Sequence, residues 1–244
     1  MIAVVDLHKS FRDNEVLRGV NLEVARGTTT VILGGSGSGK SVLMKHMIGL
    51  LRPDSGSIRV DGEAIETLGE RELQRIRTKF GMVFQAAALF DSMSVGENVS
   101  FPMREHTKLT EAEIAKRVTA KLEVVGLAGV EEKFPAELSG GMRKRVGLAR
   151  ALALDPEIVL YDEPTTGLDP ITTDYVDDMI LAAKAQLGVT SVVISHDIGS
   201  AFKVADRVAV LHEGLIVAEG PPAEVRASKD PFVRKFLALW FGRA

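Results

Sequence analysis

Residues 29–41 read TTVILGGSGSGKS. Residues 29–33 are β-branched or apolar, which is typical of a buried strand, and the apolar spacing of residues 41–48 predicts a helix. A strand, a glycine-rich loop and a helix in this order indicate a phosphate-binding loop, because glycines let backbone N–H groups approach the phosphates closely. We expect Lys40 to reach the β- and γ-phosphates of ATP and the Ser41 hydroxyl to ligate Mg²⁺. The predicted nucleotide-binding residues of the loop are Gly34, Gly35, Ser36, Gly37, Ser38, Gly39, Lys40 and Ser41.

The composition limits the possible classes of protein. The chain has 244 residues, 45% of them hydrophobic, which suffices for one large domain or a domain with a subdomain. A net charge of −3 does not favour nucleic acid as a partner, and the lack of cysteine excludes disulfides and thiolate metal sites. The N-terminus lacks the features of a signal peptide, and no apolar run approaches the roughly 20 residues of a membrane helix. We therefore expect a soluble protein that docks on another chain if it serves a membrane process.

Alternating α and β signals predict an α/β core with an insertion. Asp61-Gly62 and Glu213-Gly214 predict hairpins, and Thr110 with Glu113 forms a capping-box pattern at the start of a helix. Residues from about 86 to 155 are expected to form a helical subdomain inside an ABC-type domain of residues 1–225, followed by a helical tail over residues 226–244. The predicted strands cover residues 4–7, 17–24, 29–33, 58–60, 80–84, 158–161, 190–194, 208–211 and 216–218.

The apolar run of residues 158–161 ends in two acidic residues, Asp162 and Glu163. The carboxyl end of a strand is where ligands bind in open α/β sheets, so both carboxylates are expected beside the phosphate-binding loop. We expect Asp162 to hold Mg²⁺, directly or through water, and Glu163 to orient and deprotonate the attacking water. The alternative is a pair of ordinary turn acids before Pro164, which the apolar run and the phosphate-binding loop make weak.

Two further polar residues end predicted strands. His196 follows the strand of residues 190–194, where it can contact the γ-phosphate and help to position the water. Gln85 ends the strand of residues 80–84, where its amide can reach Mg²⁺ or the water, although a glutamine at a strand end is ordinary. The remaining histidines are expected to have no catalytic role; they are His8, His46, His106 and His212.

A second glycine-rich segment, residues 138–142, reads LSGGM. Ser139 can cap a helix, and Gly140 and Gly141 leave backbone N–H groups free, so the segment predicts another anion-binding helix start. One subunit cannot easily place both phosphate-binding segments on one nucleotide. Two head-to-tail copies can, and we expect each copy to offer its loop to one ATP and its second segment to the other.

In this order, the motifs resemble those of the ATP-binding subunits of ABC transporters, over about residues 1–225. The resemblance implies a P-loop ABC ATPase fold, an α/β core with an antiparallel β-subdomain and an inserted helical subdomain. By this resemblance residues 34–41 are the Walker A loop, 138–142 the signature and 158–163 the Walker B motif. Gln85 is then the Q-loop glutamine and His196 the switch histidine.

The same resemblance implies two more nucleotide-binding residues. Asp169 lies in the segment Gly167-Leu168-Asp169, which is similar to the D-loop of the family. Phe11 stands where the family has an aromatic residue that stacks on adenine, although Phe11 could equally belong to the core.

Finer details are similar to the ATPases of Mce-type lipid transport systems, the MlaF-like group. Met142 stands where the usual signature has glutamine, and residues 90–99, 161–172 and 230–237 carry the same likeness. The resemblance implies an ATPase on the cytoplasmic face of the inner membrane that drives a permease in phospholipid transport. Its implied partners are a second copy of itself, the permease, an Mce-domain lipid-binding protein and a small accessory subunit, with no nucleic acid.

Rival functions stay open from the sequence. The chain could be an importer ATPase for amino acids or another small solute. A soluble ABC ATPase acting on nucleic acid or ribosomes is disfavoured, since the chain has one cassette, no long coiled-coil insert and no basic excess. A nucleotide sensor without turnover is disfavoured by the presence of both Glu163 and His196.

Two apolar segments are candidate docking surfaces. Residues 86–90 favour contact with the permease or, with comparable weight, ordinary packing within the subdomain. The tail has apolar residues at helical spacing, which favours packing on its own domain or docking on a second ATPase subunit or accessory protein. A helix on the membrane surface is a third, less favoured alternative. These tail residues are Phe232, Val233, Phe236, Leu237 and Trp240.

Overall fold

Two β-sheets organise the fold. A computed structural model describes residues 1–242 of the chain, and of Leu239 only the backbone. The strands, in chain order, are β1 (Ile2–Phe11), β2 (Asn14–Val24), β3 (Thr29–Leu33), β4 (Ser55–Val60), β5 (Glu63–Ala64), β6 (Phe80–Val83), β7 (Ile158–Asp162), β8 (Thr190–Ser195), β9 (Arg207–His212) and β10 (Leu215–Gly220).

The larger sheet has six strands in the order β10-β9-β3-β8-β7-β6. All neighbours in it are parallel except β9 and β10, which form the antiparallel hairpin predicted around Glu213-Gly214. Every residue of β3 and β8 is buried, as parallel strands covered by packing on both faces should be. The predicted P-loop α/β fold is confirmed in this sheet.

The smaller sheet is antiparallel and has the order β2-β1-β4-β5. Burial alternates along the second half of β2, because one face of the sheet packs on the core and the other meets solvent. The β4–β5 hairpin turns at Asp61 and Gly62, both with positive φ, as the sequence predicts for a two-residue turn.

Residues 1–242 contain nine helices; three of them lie between β6 and β7, and two follow β10. Thr110 and Glu113 form the predicted capping box of the fourth helix, while Gly188 ends the sixth in a left-handed conformation. The helices are α1 (Lys40–Met47), α2 (Glu70–Arg77), α3 (Val95–His106), α4 (Glu111–Val124), α5 (Gly140–Ala151), α6 (Pro170–Leu187), α7 (Ile198–Val204), α8 (Pro222–Arg226) and α9 (Pro231–Phe241).

The helices α3, α4 and α5 share one hydrophobic cluster with the sheet. The cluster runs from Val99 and Val118 through Val146 to Tyr161 of β7 and Val31 of β3. The inserted helices are therefore packed continuously onto the α/β core. The exact domain limits, with a helical subdomain over residues 86–155, stay a prediction.

The end of β6 differs from the prediction. The strand stops at Val83, its last partner being Tyr161 of β7, and a turn closed by the Ala87 N–H and the Phe84 carbonyl begins at the next residue. Gln85 consequently lies in this turn, two residues beyond the strand. The apolar character of Phe84 extends the predicted strand by one residue, but Phe84 has no strand partner and is exposed.

The tail helix α9 begins at the Asp230 cap as predicted, and it packs on its own domain. Val233 and Leu237 are buried in the main hydrophobic cluster, and the ring of Phe232 stacks on His212 at 3.5 Å between centroids. Trp240 is exposed by 58%. Of the helices described, none combines the length and the apolar character needed to cross a bilayer.

Candidate nucleotide-binding and hydrolysis site

Three parallel strands end side by side at one edge of the larger sheet. Leu33 of β3 pairs with Ser195 of β8, and Asp162 of β7 pairs with Ile194 of β8. Ligands bind at this carboxyl edge in open α/β sheets. The residues that follow the three strands are brought together there; they are Gly34, Glu163 and His196.

The phosphate-binding loop wraps around the ammonium group of Lys40. Lys40 is 7% exposed, and its Nζ donates to the carbonyl oxygens of Gly34 at 2.9 Å and Gly35 at 3.0 Å. A Cβ at Gly34 would lie 2.4 Å from the carbonyl oxygen of Leu211, so no side chain fits there. The backbone at Gly39 has a φ of +103°, which glycine adopts far more readily than other residues.

This loop fits an anionic ligand. The Ser38 hydroxyl is buried and has no hydrogen-bond partner among the described residues. Helix α1 begins at Lys40 with no side-chain cap and no acidic residue in its first turn, so its positive N-terminal end is uncompensated. An unpaired hydroxyl, a buried ammonium and a bare helix N-terminus suit the phosphates of a nucleotide. Ser36 and Gly37 at the loop tip and Ser41 in α1 are exposed to solvent.

Glu163 lies at the centre of the edge, held by two hydrogen-bond partners and one nearby ammonium group. Its Oε2 is 2.6 Å from His196 Nδ1 and accepts a hydrogen bond from Thr166 Oγ1 at 3.0 Å. Its Oε1 is 3.7 Å from Lys40 Nζ. The side chain is 15% exposed, and the backbone has a φ of +50°, an uncommon value for a residue other than glycine. The carboxylate is therefore oriented from both sides and open to a small molecule such as water.

Asp162 and Ser41 provide oxygen ligands next to this carboxylate. Burial raises the pKa of Asp162, and the charge of Glu163 raises it further, while a hydrogen bond with Ser41 and the charges of Lys45 and Lys40 act against the rise. A bound cation would stabilise the ionised carboxylate. Within the described residues no group of three or more His, Asp or Glu side chains is placed to hold a metal ion by itself. Mg²⁺ ordinarily needs only one or two protein oxygens besides phosphates and water. The hydroxyl and carboxylate here fit that role.

The second glycine-rich segment lies apart from the phosphate-binding loop of the same chain. Ser139 caps α5 by accepting the N–H of Met142 at 3.2 Å, as predicted, and Ser139 and Gly140 are exposed. A Cβ at Gly141 would lie 3.2 Å from Thr172 in α6. No hydrogen bond or ion pair among residues 1–242 joins residues 138–142 to residues 34–41.

No hydrogen bond or ion pair among residues 1–242 joins the remaining predicted residues, Gln85, Asp169 and Phe11, to Lys40 or Glu163. Asp169 caps α6. Its carboxylate accepts hydrogen bonds from the Thr172 hydroxyl and from the N–H groups of Thr172 and Ile171, and these bonds lower the pKa of Asp169. Gln85 is exposed in the turn after β6, the strand next to β7. Phe11 is 44% exposed at the end of β1, so its interpretation as a core residue is wrong.

The sequence interpretation missed two contributors, Thr166 and Lys144. Thr166 stands three residues after Glu163, a spacing at which a turn lets side chains meet. Lys144 donates from α5 to the carbonyl oxygens of Pro164 at 2.5 Å and Thr166 at 3.3 Å. Nothing in the local sequence around Lys144 indicates this contact, because the two segments meet only in the folded chain.

Three features define an ATP-hydrolysing cassette: the glycine-rich loop, the acidic pair at the end of β7, and the helix α5 capped by Ser139. Comparison with known proteins agrees. A family model described as ABC transporter matches residues 17–166. The chain therefore belongs to the ABC transporter family, as one of its ATP-hydrolysing subunits.

Two groups of curated relatives are similar over nearly the whole chain. The probable ribonucleotide transport ATP-binding protein mkl of Mycobacterium leprae is 48% identical over 97% of this chain and 68% of that protein. The intermembrane phospholipid transport system ATP-binding protein MlaF of Haemophilus influenzae is 42% identical over 97% of this chain and 90% of its own length. The chain thus spans about two thirds of the mycobacterial proteins and most of MlaF.

Solved structures share the fold. The cbiO1 protein of Clostridium perfringens, part of the ABC transporter complex cbiONQ, matches with a TM-score of 0.86 and 35% identity, over 99% of this chain and 96% of that chain. A dimeric post-hydrolysis state of the ATP-binding cassette MJ0796, bound to ADP and Pi, matches with a TM-score of 0.83 and 31% identity, over 91% of this chain and 99% of the other.

Proposed function

We propose that the chain hydrolyses ATP at the edge formed by β3, β7 and β8, with Glu163 as general base. The observation that carries this proposal is the placement of Glu163 between Lys40 at 3.7 Å and His196 at 2.6 Å. Lys40 and the backbone of residues 34–41 bind the phosphates, and Ser41 with Asp162 holds Mg²⁺, assisted by Gln85. When bound, Mg²⁺ neutralises charge on the phosphate oxygens.

The hydrolytic step follows from this arrangement. Glu163 takes a proton from water while the water oxygen bonds to the γ-phosphorus, and the bond from that phosphorus to the β–γ bridging oxygen breaks. ADP and inorganic phosphate leave. His196 keeps one carboxylate oxygen of Glu163 oriented and contacts the γ-phosphate, while Lys40 stabilises the charge on the leaving oxygens.

The nucleotide site is completed by a second copy of the chain. The exposed cap at Ser139, with Gly140 and Gly141, suits the γ-phosphate of an ATP held by the partner copy. Asp169 lies at the same face, and Phe11 is free to stack on adenine because its ring is exposed. Binding of two ATP molecules closes the dimer, and hydrolysis releases it.

We infer that this motor drives phospholipid transport from the cytoplasmic face of the inner membrane. The likeness to MlaF over 90% of its length supports a phospholipid as cargo, since that relative is named as part of an intermembrane phospholipid transport system. The partners that we propose are a separate permease and an Mce-domain protein. A small accessory subunit joins the same assembly, and nucleic acid takes no part. Ribonucleotide transport is the second candidate, favoured by the name of the mycobacterial relatives, which share 48% identity.

Reconstitution of the membrane complex separates the two cargoes. The tagged chain is purified with its permease from native membranes, and the lipids and proteins that accompany it are identified by mass spectrometry. We expect co-purified phospholipid, and ATP-dependent phospholipid transfer from proteoliposomes that is lost in the Glu163→Gln complex. ATP-dependent uptake of a ribonucleotide without lipid transfer would establish the second candidate instead.

A further inference from the structure

Lys144 links the helix α5 to the loop that follows Glu163. Its Nζ donates to the carbonyl oxygens of Pro164 at 2.5 Å and Thr166 at 3.3 Å, across 20 and 22 residues of sequence. The two neighbouring basic residues reach other carbonyls: Arg143 donates to Leu138 and Arg145 to Gly126. Of these three basic residues, only Lys144 donates a hydrogen bond to residues 164–166, which we call the hydrolysis loop.

The ammonium of Lys144 is half-buried without a carboxylate to balance it. The ion pairs among residues 1–242 do not include Lys144, and burial lowers its pKa. A small cavity beside it is lined by Tyr161, Pro164, Val176 and Ile180, whose side chains offer no counter-charge. A buried ammonium is unfavourable unless hydrogen bonds compensate the lost hydration, so the two loop carbonyls are what holds Lys144 in place.

The loop that Lys144 binds in turn holds the catalytic carboxylate. The Thr166 N–H donates to the Glu163 carbonyl at 3.2 Å, and its hydroxyl donates to Glu163 Oε2 at 3.0 Å. Glu163 has a left-handed backbone conformation with a φ of +50°, which persists only where the surroundings maintain it. Loss of the Lys144 contacts would free the loop, and with it the orientation of the carboxylate.

We propose that Lys144 is a positioning residue that ties the hydrolysis loop to α5 and thereby couples the Ser139 end of that helix to Glu163. The inference rests on the proposed role of Glu163 as general base. Since Ser139 stands at the start of α5 and Lys144 lies in its second turn, a shift of the helix on contact with the partner's nucleotide moves the carbonyls of Pro164 and Thr166 with it. Contact of Ser139 with the partner's nucleotide thereby changes the orientation of the Glu163 carboxylate in the same copy as that Ser139.

The test compares Lys144→Met with Lys144→Arg in the purified membrane complex. We expect Lys144→Met to lower kcat by about 10- to 100-fold with KM for ATP changed less than about threefold, since misplacing a catalytic group by about 1 Å has effects of this size. Lys144→Arg keeps donors for the two carbonyls and should recover most of kcat. Lys116→Met, the same change at an exposed lysine of α4, is the matched control and should leave kcat unchanged.

A second readout needs no nucleotide. Hydrogen exchange of the full chain should show faster exchange of the amides in residues 163–169 in Lys144→Met than in Lys116→Met, with β3 and β8 equally protected in both. If Lys144→Met does not fold, Lys144→Gln takes its place in both measurements. Either wild-type kcat or wild-type exchange in residues 163–169 of the Lys144 variant would overturn the inference.

The outcome distinguishes this inference from the proposed function. If Glu163→Gln abolishes turnover while Lys144→Met keeps it, only the role of Lys144 is wrong. If Glu163→Gln retains turnover, the general-base assignment is wrong, whatever Lys144→Met does.

Discussion

Glu163 depends on residues that are distant in the sequence. Lys40 precedes it by 123 positions and His196 follows it by 33, yet all three side chains meet because β3, β7 and β8 end at the same sheet edge. Its Oε2 has two hydrogen-bond partners and its Oε1 lies near the Lys40 ammonium, so the carboxylate is held in one orientation, as its proposed role as a proton acceptor requires. Removal of the carboxylate charge should therefore block the chemical step without removing the phosphate contacts.

Glu163→Gln tests this at the level of a single residue. The amide cannot accept a proton from water, so we expect kcat for ATP in the purified complex to fall by at least about 100-fold, within the range typical of general-base loss. Nucleotide binding should persist, because Lys40 and the loop remain intact. Retained turnover would contradict the assignment. Lys40→Ala, in contrast, should weaken ATP binding itself, measured by equilibrium titration with Mg²⁺-ATP.

The helix α7 connects the site to the tail. It begins at the Asp197 cap, directly after His196, and Ser200 donates to the buried carboxylate of Asp177 in α6 at 2.5 Å. On its other side, the rings of Phe202 and Phe241 meet edge-on with centroids 5.1 Å apart. Trp240 covers Gly199 so closely that a Cβ there would lie 2.4 Å from its ring. The tail helix therefore packs against the helix that begins directly after His196.

Gly199→Ala tests the contact between α7 and α9. Because Trp240 is exposed by 58%, its ring should move away rather than unfold the protein. Alanine also favours the helix over glycine, so the free energy of unfolding should change by less than about 1 kcal/mol.

Trp240 is the single tryptophan, so its fluorescence reports this movement directly. We expect emission from Gly199→Ala to shift to longer wavelength as the ring enters water. Gly69→Ala is the control, since a Cβ there meets its nearest atom at 3.6 Å, and its emission should match the wild type. Unchanged emission in Gly199→Ala would show that α9 does not pack on α7 in this way.

At the scale of the whole molecule, the exposed Ser139 segment predicts a dimer that forms only with ATP. In one copy no hydrogen bond or ion pair among the described residues joins this segment to residues 34–41, so we expect its N–H groups to meet a phosphate held by another copy. The dimeric state of the similar cassette MJ0796 agrees with an assembly of two copies. A bulky, positively charged side chain in place of Ser139 should block formation of the ATP-bound dimer and leave the phosphate-binding loop of each copy intact.

Ser139→Arg in the Glu163→Gln background tests closure. With Mg²⁺-ATP, light scattering after size exclusion should give a dimer for Glu163→Gln alone and a monomer for the double variant. Both should bind ATP with similar affinity in equilibrium titration. Ser55→Arg, at an exposed serine of β4, is the control and should leave the dimer intact. If the double variant still forms a dimer and binds ATP with the affinity of Glu163→Gln, Ser139 does not lie in the dimer interface.

Local sequence was sufficient to predict many elements of the fold and several parts of the site. The parallel strands, the phosphate-binding loop, the α4 capping box, the β4–β5 hairpin and the Ser139 cap could all be predicted, because each depends on short-range spacing and on glycine or capping chemistry within a few residues. The helices α2, α3, α7 and α8 were not predicted individually. The helices α2, α7 and α8 are short and carry too few apolar repeats, and α3 contains Pro102.

The tertiary structure alone decided which of these pieces act together. Strand order brought Lys40, Glu163 and His196 to one edge, and the packing of α5 on the sheet brought Lys144 to the loop after Glu163. It also put α9 onto its own domain through Val233 and Leu237, where the tail sequence allowed either that packing or docking on a partner. These are contacts between residues far apart in the chain, and periodicity carries no information about which buried faces meet.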